Sequence, residues 1–470
     1  MNINIGRVRG LPEMETALFM ECVKTLNSHS GANAKKKKYY EGQIMLSDVN
    51  LGIALPDGLS RLEIGCEWGT KAVDVLAARS MFDGFVGRNG EDAEGINAIA
   101  SRNNMLFGYI KACRDELKYG CTFATLSADP DGLAIVRFHS PETAAALWDG
   151  EKNRIRCGFA VIETITNTEG EHKPSHINFY TDTDIWELRV IGNTTDFVAT
   201  RYPHIMGRPL MEPLVWNATS NKPFGRSRLK FPIRELINGY VRTICNASIG
   251  LEFSTAPQKY LLGVTDEQYD ALINQKFKQY VGNLLTSTTN PESGEKPSFG
   301  QLPQGSITPH VEMMRLLATQ FSAASGLSIT DTGVVNDANP SSSDAILAQS
   351  QTLCLMAEEL NAGNGNALQQ IAWMAIAIER KQSLAELSEE DKDIVAHFKN
   401  PAMPSLAVTT DAAIKIASVR QGFADTDIFL EMIGFSQADI RRINAQESKS
   451  RGMSVLGEFQ TDEDSTSDMA

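Results

Sequence analysis

The chain has 470 residues, of which 42% are hydrophobic, with a formal net charge of −14 and a sequence pI near 5.1. That length predicts about two to four domains, and the hydrophobic content excludes wholesale disorder. The acidic balance excludes a repressor-like or histone-like binder that grips phosphates over its whole surface.

Pro12 opens a helix with Leu18, Cys22 and Leu26 on one side, predicted to end near Ser28–Gly31. Lys35, Lys36, Lys37 and Lys38 then precede Tyr39 and Tyr40. Such a run reads as a solvated loop or as a contact for a phosphate backbone or base. Trp68, Ala72, Val75 and Arg79 mark a second helix. Ile99, Leu106, Ile110, Cys113 and Leu117 mark a long third one.

β-like segments follow. Cys121–Leu126 and Ala134–Phe138 flank Asp129-Pro130-Asp131-Gly132, a hairpin signal. Arg154–Ile165, His176–Tyr180, Ile185–Val190 and Asp196–Arg201 extend the pattern to a small antiparallel sheet on the first helices. His172 and His176 straddle Pro174 at an expected turn and lack a third ligand, so no metal is assigned.

A helix from about Pro232 carries Ile233, Leu236, Ile237, Tyr240, Val241, Ile244 and Ile249. Arg226, Arg228, Lys230 and Arg234 cluster at its start. Cations there oppose the helix macrodipole, so something acidic should face them, either a neighbouring chain or phosphate. Ala256–Gly263 reads as a strand, Asp266–Tyr280 as a short amphipathic helix, and Leu284–Gly305 as turn-rich. A module inserted between two long helices is a protrusion.

His310–Gly363 reads as helix, loop, helix. Val311, Met314, Ala318 and Phe321 recur at helical spacing, and Gly326 is a C-cap. The loop, Leu327–Pro340, has no Lys or Arg. Ser341-Ser342-Ser343-Asp344 caps the next helix, which carries Ile346, Leu353, Met356 and Leu360 and is predicted to stop near Gly363. A separate apolar helix is expected from about Asn366 to Glu379. Three short helices follow Pro401 and Pro404: Asp411–Gln421, Asp427–Ile433 and Ser436 to about Glu447. The Asp/Glu/Ser/Thr-rich tail from Glu458 is expected to be disordered.

The seven cysteines form no C-x-x-C and read as reduced, buried thiols. Met1–Gly10 lacks the apolar core of a signal peptide, and Ile371–Ile378 is far short of a membrane span. No phosphate-binding P-loop, G-x-S-x-G elbow or H-E-x-x-H occurs. Gly84–Gly90 is glycine-rich but reads as a turn, and Glu358-Glu359 look solvated. No catalytic residue, metal or cofactor is assigned.

Several motifs in order carry a resemblance. They are Tyr39-Tyr40-Glu41-Gly42, Ala72–Arg79, Phe224-Gly225-Arg226-Ser227-Arg228, Ala256-Pro257-Gln258-Lys259-Tyr260, Phe299-Gly300-Gln301-Leu302-Pro303, Ser322–Leu327 and Pro340–Ile346. Together they resemble the portal proteins of tailed double-stranded-DNA bacteriophages of the siphophage type, over about residues 35–445. The resemblance implies an α+β, mainly helical subunit of a ring of about twelve copies at one capsid vertex. It implies a wing at 1–230, a first stem helix at 231–254, an α/β clip at 255–308 and a second stem helix at 309–326. A tunnel loop follows at 327–341, then a long helix and return to the wing at 342–401, a helical crown at 402–460 and an acidic tail at 461–470. It implies a non-enzymatic channel for double-stranded DNA, located in the virion and in the host cytoplasm during assembly. Expected partners are the terminase large subunit, which supplies ATP hydrolysis, a head–tail connector, and the major capsid and scaffolding proteins; no membrane is involved.

On that reading Thr330, Asp331, Thr332, Val334, Val335, Asn336, Asp337 and Asn339 face DNA, with Val334 and Val335 as the side chains that press on it. Glu312, Arg315, Arg226, Arg228, Lys230 and Arg234 belong to the channel or to subunit contacts, and Glu312 and Arg315 are spaced to pair within the helix or between subunits. A stem helix of about sixteen residues spans about 24 Å. In a ring it needs apolar residues on more than one face, as Met313, Leu316 and Leu317 allow. The competing readings are another phage head or head–tail adaptor protein, for which the chain is long, and a hydrolase with an unrecognised site.

Overall fold

The computed structural model describes residues 3–43, 65–87, 93–166, 172–192, 194–255, 259–262, 298–301, 306–334, 343–402, 406–420, 422–436 and 439–450. In chain order these form β1 (Val8–Arg9), α1 (Glu13–Tyr40), α2 (Trp68–Ala77), β2 (Phe82–Gly87), α3 (Glu94–Arg102) and α4 (Met105–Tyr119). Next come β3 (Cys121–Ala128), β4 (Ala134–His139), β5 (Ala144–Asp149), β6 (Arg154–Thr166), β7 (His172–Tyr180), β8 (Asp184–Val190), β9 (Phe197–Pro203) and β10 (Met211–Val215). The remainder is α5 (Phe231–Thr255), β11 (Lys259–Leu262), β12 (Ser298–Gln301), α6 (Thr308–Ser325), α7 (Ser343–Arg380), α8 (Glu389–Lys392), β13 (Ile394–Phe398), α9 (Leu406–Val419) and α10 (Asp427–Ile433). The fold is mixed α+β.

The chain divides into two compact units. One draws on Met1–Lys36, Val73–Arg228 and Ser342–Ala470, the other on Lys37–Ala72 and Leu229–Ser341.

In the first unit a six-stranded sheet runs β1-β9-β8-β7-β6-β5. β1 is parallel to β9 and the other pairs are antiparallel. Alternation along β6, β7 and β8 sends Phe159, Val161, Ile177, Phe179 and Leu188 to one face. There they meet Phe19, Cys22, Val23 and Leu26 of α1; Cys22 and Leu26 were expected from the sequence, and the expected Leu18 is partly buried beside them. The Phe19 ring stands edge-on to Phe159 and Phe179, with centroids 5.5 and 5.4 Å away. A second sheet, β10-β3-β4, and the pair β2–β13 complete the strands of this unit. All seven cysteines are reduced and buried, and the Cys22 and Cys157 sulfurs lie 3.8 Å apart. No helix among the described residues is long and apolar enough to cross a membrane.

Three local expectations fail for identifiable reasons. First, α1 does not stop at Ser28–Gly31 but runs on to Tyr40. Ala32, Ala34 and four lysines are strong helix formers, so one glycine, costing about 1 kcal/mol, is carried through. The lysine run is therefore helical, at a C-terminus where cations are favoured. Lys36 is also tied down, donating to the Tyr119 carbonyl at 2.9 Å and to Asn33 Oδ1 at 3.2 Å.

Second, α7 is one helix of 38 residues where two were expected. Leu360, Asn364, Ala367, Leu368 and Ile371 are all buried, and that burial outweighs the weakness of Gly363 and Gly365. Third, His172, Pro174 and His176 lie in strand β7, not in a turn. Pro174 sits opposite Thr164 beside a register irregularity, where a missing donor is tolerated.

The short C-terminal helices follow their caps. Thr426 Oγ1 accepts from the Phe429 amide, Gly434 ends α10 in the left-handed region, and Ser436 Oγ accepts from the Asp439 amide. α9 begins at Leu406, ahead of the expected Asp411. The helix expected at 266–280, most of the turn-rich 284–305, and the tail from Glu458 lie outside the described residues.

Candidate functional site: a helix pair and its loop

The second unit is built on α5 and α6, which pack against each other. Ile233, Ile237, Val241 and Cys245 recur every four residues and form the buried stripe of α5. Leu317, Ala318, Phe321 and Ser325 are the buried positions of α6. The helices approach closely at Gly239, where an added Cβ would lie 3.2 Å from Leu317 Cδ2. β11 and β12, between these helices in the chain, pair antiparallel, with Tyr260 opposite Gly300.

Trp68, the first residue of α2, closes this core. Its ring stacks on Tyr240 at 4.1 Å and on Phe321 at 4.7 Å, with interplanar angles of 28° and 29°. Its Nε1–H donates to the Thr332 carbonyl at 3.0 Å. The sequence marked Trp68 only as an apolar helix position. The missed signal is chemical: a buried indole usually needs an acceptor for its N–H.

The loop leaves α6 as the sequence predicted. Gly326 takes φ +72° and its amide donates to the Ser322 carbonyl. Leu327 is buried, and residues Thr330–Thr332 form one tight 3-10 turn. Asp331 is used inside that turn: its carboxylate accepts from the Ser328 amide at 3.0 Å and the Ser328 hydroxyl at 2.7 Å. Thr332 is buried, with its hydroxyl on the Ile329 carbonyl at 2.6 Å. Thr330 is exposed and Val334 half-buried. Gly333 ends the 3-10 turn in the left-handed region, at φ +73°. Val335, Asn336, Asp337 and Asn339 lie outside the described residues.

The charged candidates separate. Glu312 and Arg315 form an exposed i,i+3 pair at 3.4 Å within α6. Arg226 and Lys230 are exposed. Arg228 is buried, its amide on the Leu117 carbonyl and its guanidinium 5.9 Å over the Trp216 ring; burial draws its pKa down to about 10. Arg234 lies 5.8 Å over the Tyr39 ring, and Tyr39 donates its hydroxyl to Asn238 Oδ1 at 2.8 Å. Arg228 and Arg234 thus each lie over an aromatic face.

α6 also carries a second apolar face. Met313 and Leu316 are 43% and 51% exposed, while Leu317, one residue on, is 6% exposed. Phe231 and Ile307 add exposed apolar area at the helix starts.

Residues 33–452 match the family described as phage portal protein, SPP1 Gp6-like. No curated protein matches the chain. Among solved structures, one described as the virion of a native gene transfer agent particle is similar with a TM-score of 0.47 and 11% identity, over 86% of this chain and 93% of that one. The neck of the native particle computed with C12 symmetry gives 0.47 and 12%, over 78% and 89%. The neck of the empty particle computed with C6 symmetry gives 0.45 and 12%, over 78% and 90%. Because the family match spans most of the sequence, including α5, α6 and the segment between α6 and α7, this chain belongs to the SPP1 Gp6-like family of phage portal proteins.

Proposed function

We propose that copies of this portal protein close into a ring of about twelve at one capsid vertex, through whose bore double-stranded DNA enters and leaves. In this reading α5 and α6 are the stem, the segment between them is the clip, and residues 327–341 are the tunnel loop facing the bore. The wing occupies 1–230 and the crown 402–460. The terminase motor docks on the clip during packaging and a head–tail connector replaces it in the virion. The chain itself performs no reaction.

The observation that carries this reading is the second apolar face of α6. A helix needs one stripe to pack on α5, and Leu317 and Phe321 supply it. Met313 and Leu316 remain exposed on another face of the same helix, as side-by-side packing of identical copies requires. The grouping of α5, β11, β12, α6 and the loop in one compact unit supports treating stem, clip and loop as one working part. Charge supports passage without capture. Twelve copies at −14 give about −168, against one negative charge per about 1.7 Å of duplex, so an acidic wall repels DNA and lets it slide. The loop's lack of Lys and Arg follows the same logic.

Negative-stain imaging and native mass of the purified chain test this. Rings with a central hole are expected; a monomer at high concentration overturns the reading. Nuclease and ATPase assays on the same preparation test the hydrolase alternative and should give no activity.

A further inference from the structure

We infer that Trp68 is a positioning residue that couples the packing of the helix pair to the aim of the loop. This rests on the reading of residues 327–341 as the tunnel loop. The indole has two distinct attachments. Its faces are held between Tyr240 of α5 and Phe321 of α6, so its position is set by how those helices pack. Its edge holds the Thr332 carbonyl, immediately before Gly333 takes the left-handed conformation that ends the turn.

Among the described residues the side chains of the 3-10 turn bond locally: Ser328, Thr330 and Asp331 to one another, and Thr332 to Ile329. The turn is thus a preformed rigid piece, and the indole N–H fixes its direction. A change in the α5–α6 crossing shifts the ring, and the Thr332 peptide moves with it. The loop's reach is then a property of helix packing, which ring closure and motor docking both act on, and not of the loop sequence alone.

The test separates the two attachments. Trp68→Phe keeps a stacked ring and removes the N–H. Phe321→Leu keeps the N–H and loosens the stack. Hydrogen exchange on the assembled protein should show amides 330–334 exchanging about fivefold faster in Trp68→Phe, the factor that corresponds to about 1 kcal/mol for one lost hydrogen bond. Amides of 155–161, in the sheet of the other unit, should not change. Phe321→Leu should raise exchange at 330–334 as well, which a passive anchor would not produce. Unchanged exchange at 330–334 in Trp68→Phe overturns the anchor, and unchanged exchange in Phe321→Leu overturns the coupling. Failure of the wild-type chain to form rings overturns the portal reading, whereas the exchange comparison, made on whatever species forms, still decides the role of Trp68.

Discussion

The Asn364 side-chain amide donates to Glu116 at 2.8 Å, with both residues fully buried. The same amide reaches the Tyr109 hydroxyl at 3.0 Å, and that hydroxyl bonds Ser80 at 2.6 Å. Burial pushes the Glu116 pKa up to about 8, and the Asn364 bond offsets only part of this. Among the described residues Glu116 Oε1 has no hydrogen-bond partner, a smaller penalty for a neutral carboxyl than for a carboxylate.

Glu116 therefore makes stability fall as pH rises. Unfolded, the group ionises near 4.5; folded, it holds its proton to about 8. Its contribution is most favourable below 4.5, declines through the interval, and is flat above 8. Glu116→Gln keeps the shape and removes the ionisation. It should raise stability at pH 7 by about 2 kcal/mol and flatten the decline. Denaturant unfolding at pH 5 and pH 8 checks this; an equal loss with pH in both proteins would refute it.

Arg228 and Arg226, two residues apart, should differ sharply in their response to charge reversal. Arg228→Glu places a carboxylate in a buried site over Trp216 and should cost about 3–5 kcal/mol, seen as a lost or early thermal transition. Arg226→Glu alters an exposed side chain and should leave folding within about 0.5 kcal/mol. If Arg226 makes a subunit contact, its reversal weakens rings; normal rings with failed packaging would place it against DNA or the motor.

Leu316→Arg should abolish or weaken ring formation while leaving the monomer's unfolding transition nearly unchanged, because Leu316 is half exposed in the single chain. Native mass and a thermal melt, run side by side, separate the two effects. A large loss of monomer stability would mean that this face is part of the fold.

Deleting Val334–Asn339 should spare assembly and impair DNA packaging or retention. The cut falls after Gly333, so the 3-10 turn and the Trp68 bond are kept. Loss of rings in this deletion would show that the loop is structural.

Two glycines of the second unit predict opposite signs. A Cβ on Gly69 would lie 2.0 Å from the Tyr39 carbonyl oxygen, so Gly69→Ala should cost about 3 kcal/mol or more. A Cβ on Gly250, in α5, would meet nothing within 4 Å beyond its own helix backbone, and Gly250→Ala should stabilise by about 0.5–1 kcal/mol. Melting temperatures of the two variants check both.

What the sequence revealed was local. The C-cap at Gly326, the stripe Val241–Ile237–Ile233, the Cys22–Leu26 face and the turn at Asp129–Gly132 depend on neighbours three or four residues away, or on the chain's own alternation. What it hid was set by distant partners. Gly31 and Gly363 looked like stops because their helices' burial was invisible. The four positive candidates before and within α5 looked alike, yet one is buried against Trp216 and another lies on Tyr39. Thr332 looked as available as Thr330, because the indole that holds its backbone is 264 positions away.

The single helix α7 has a mechanical consequence. At about 1.5 Å per residue its 38 residues make a strut roughly 57 Å long. Its weakest point is Gly363-Asn364-Gly365, two flexible residues around a polar one. Under end-on compression such a strut would buckle there, and the bracing at that waist comes from Glu116 and Tyr109, which grip Asn364 from the side.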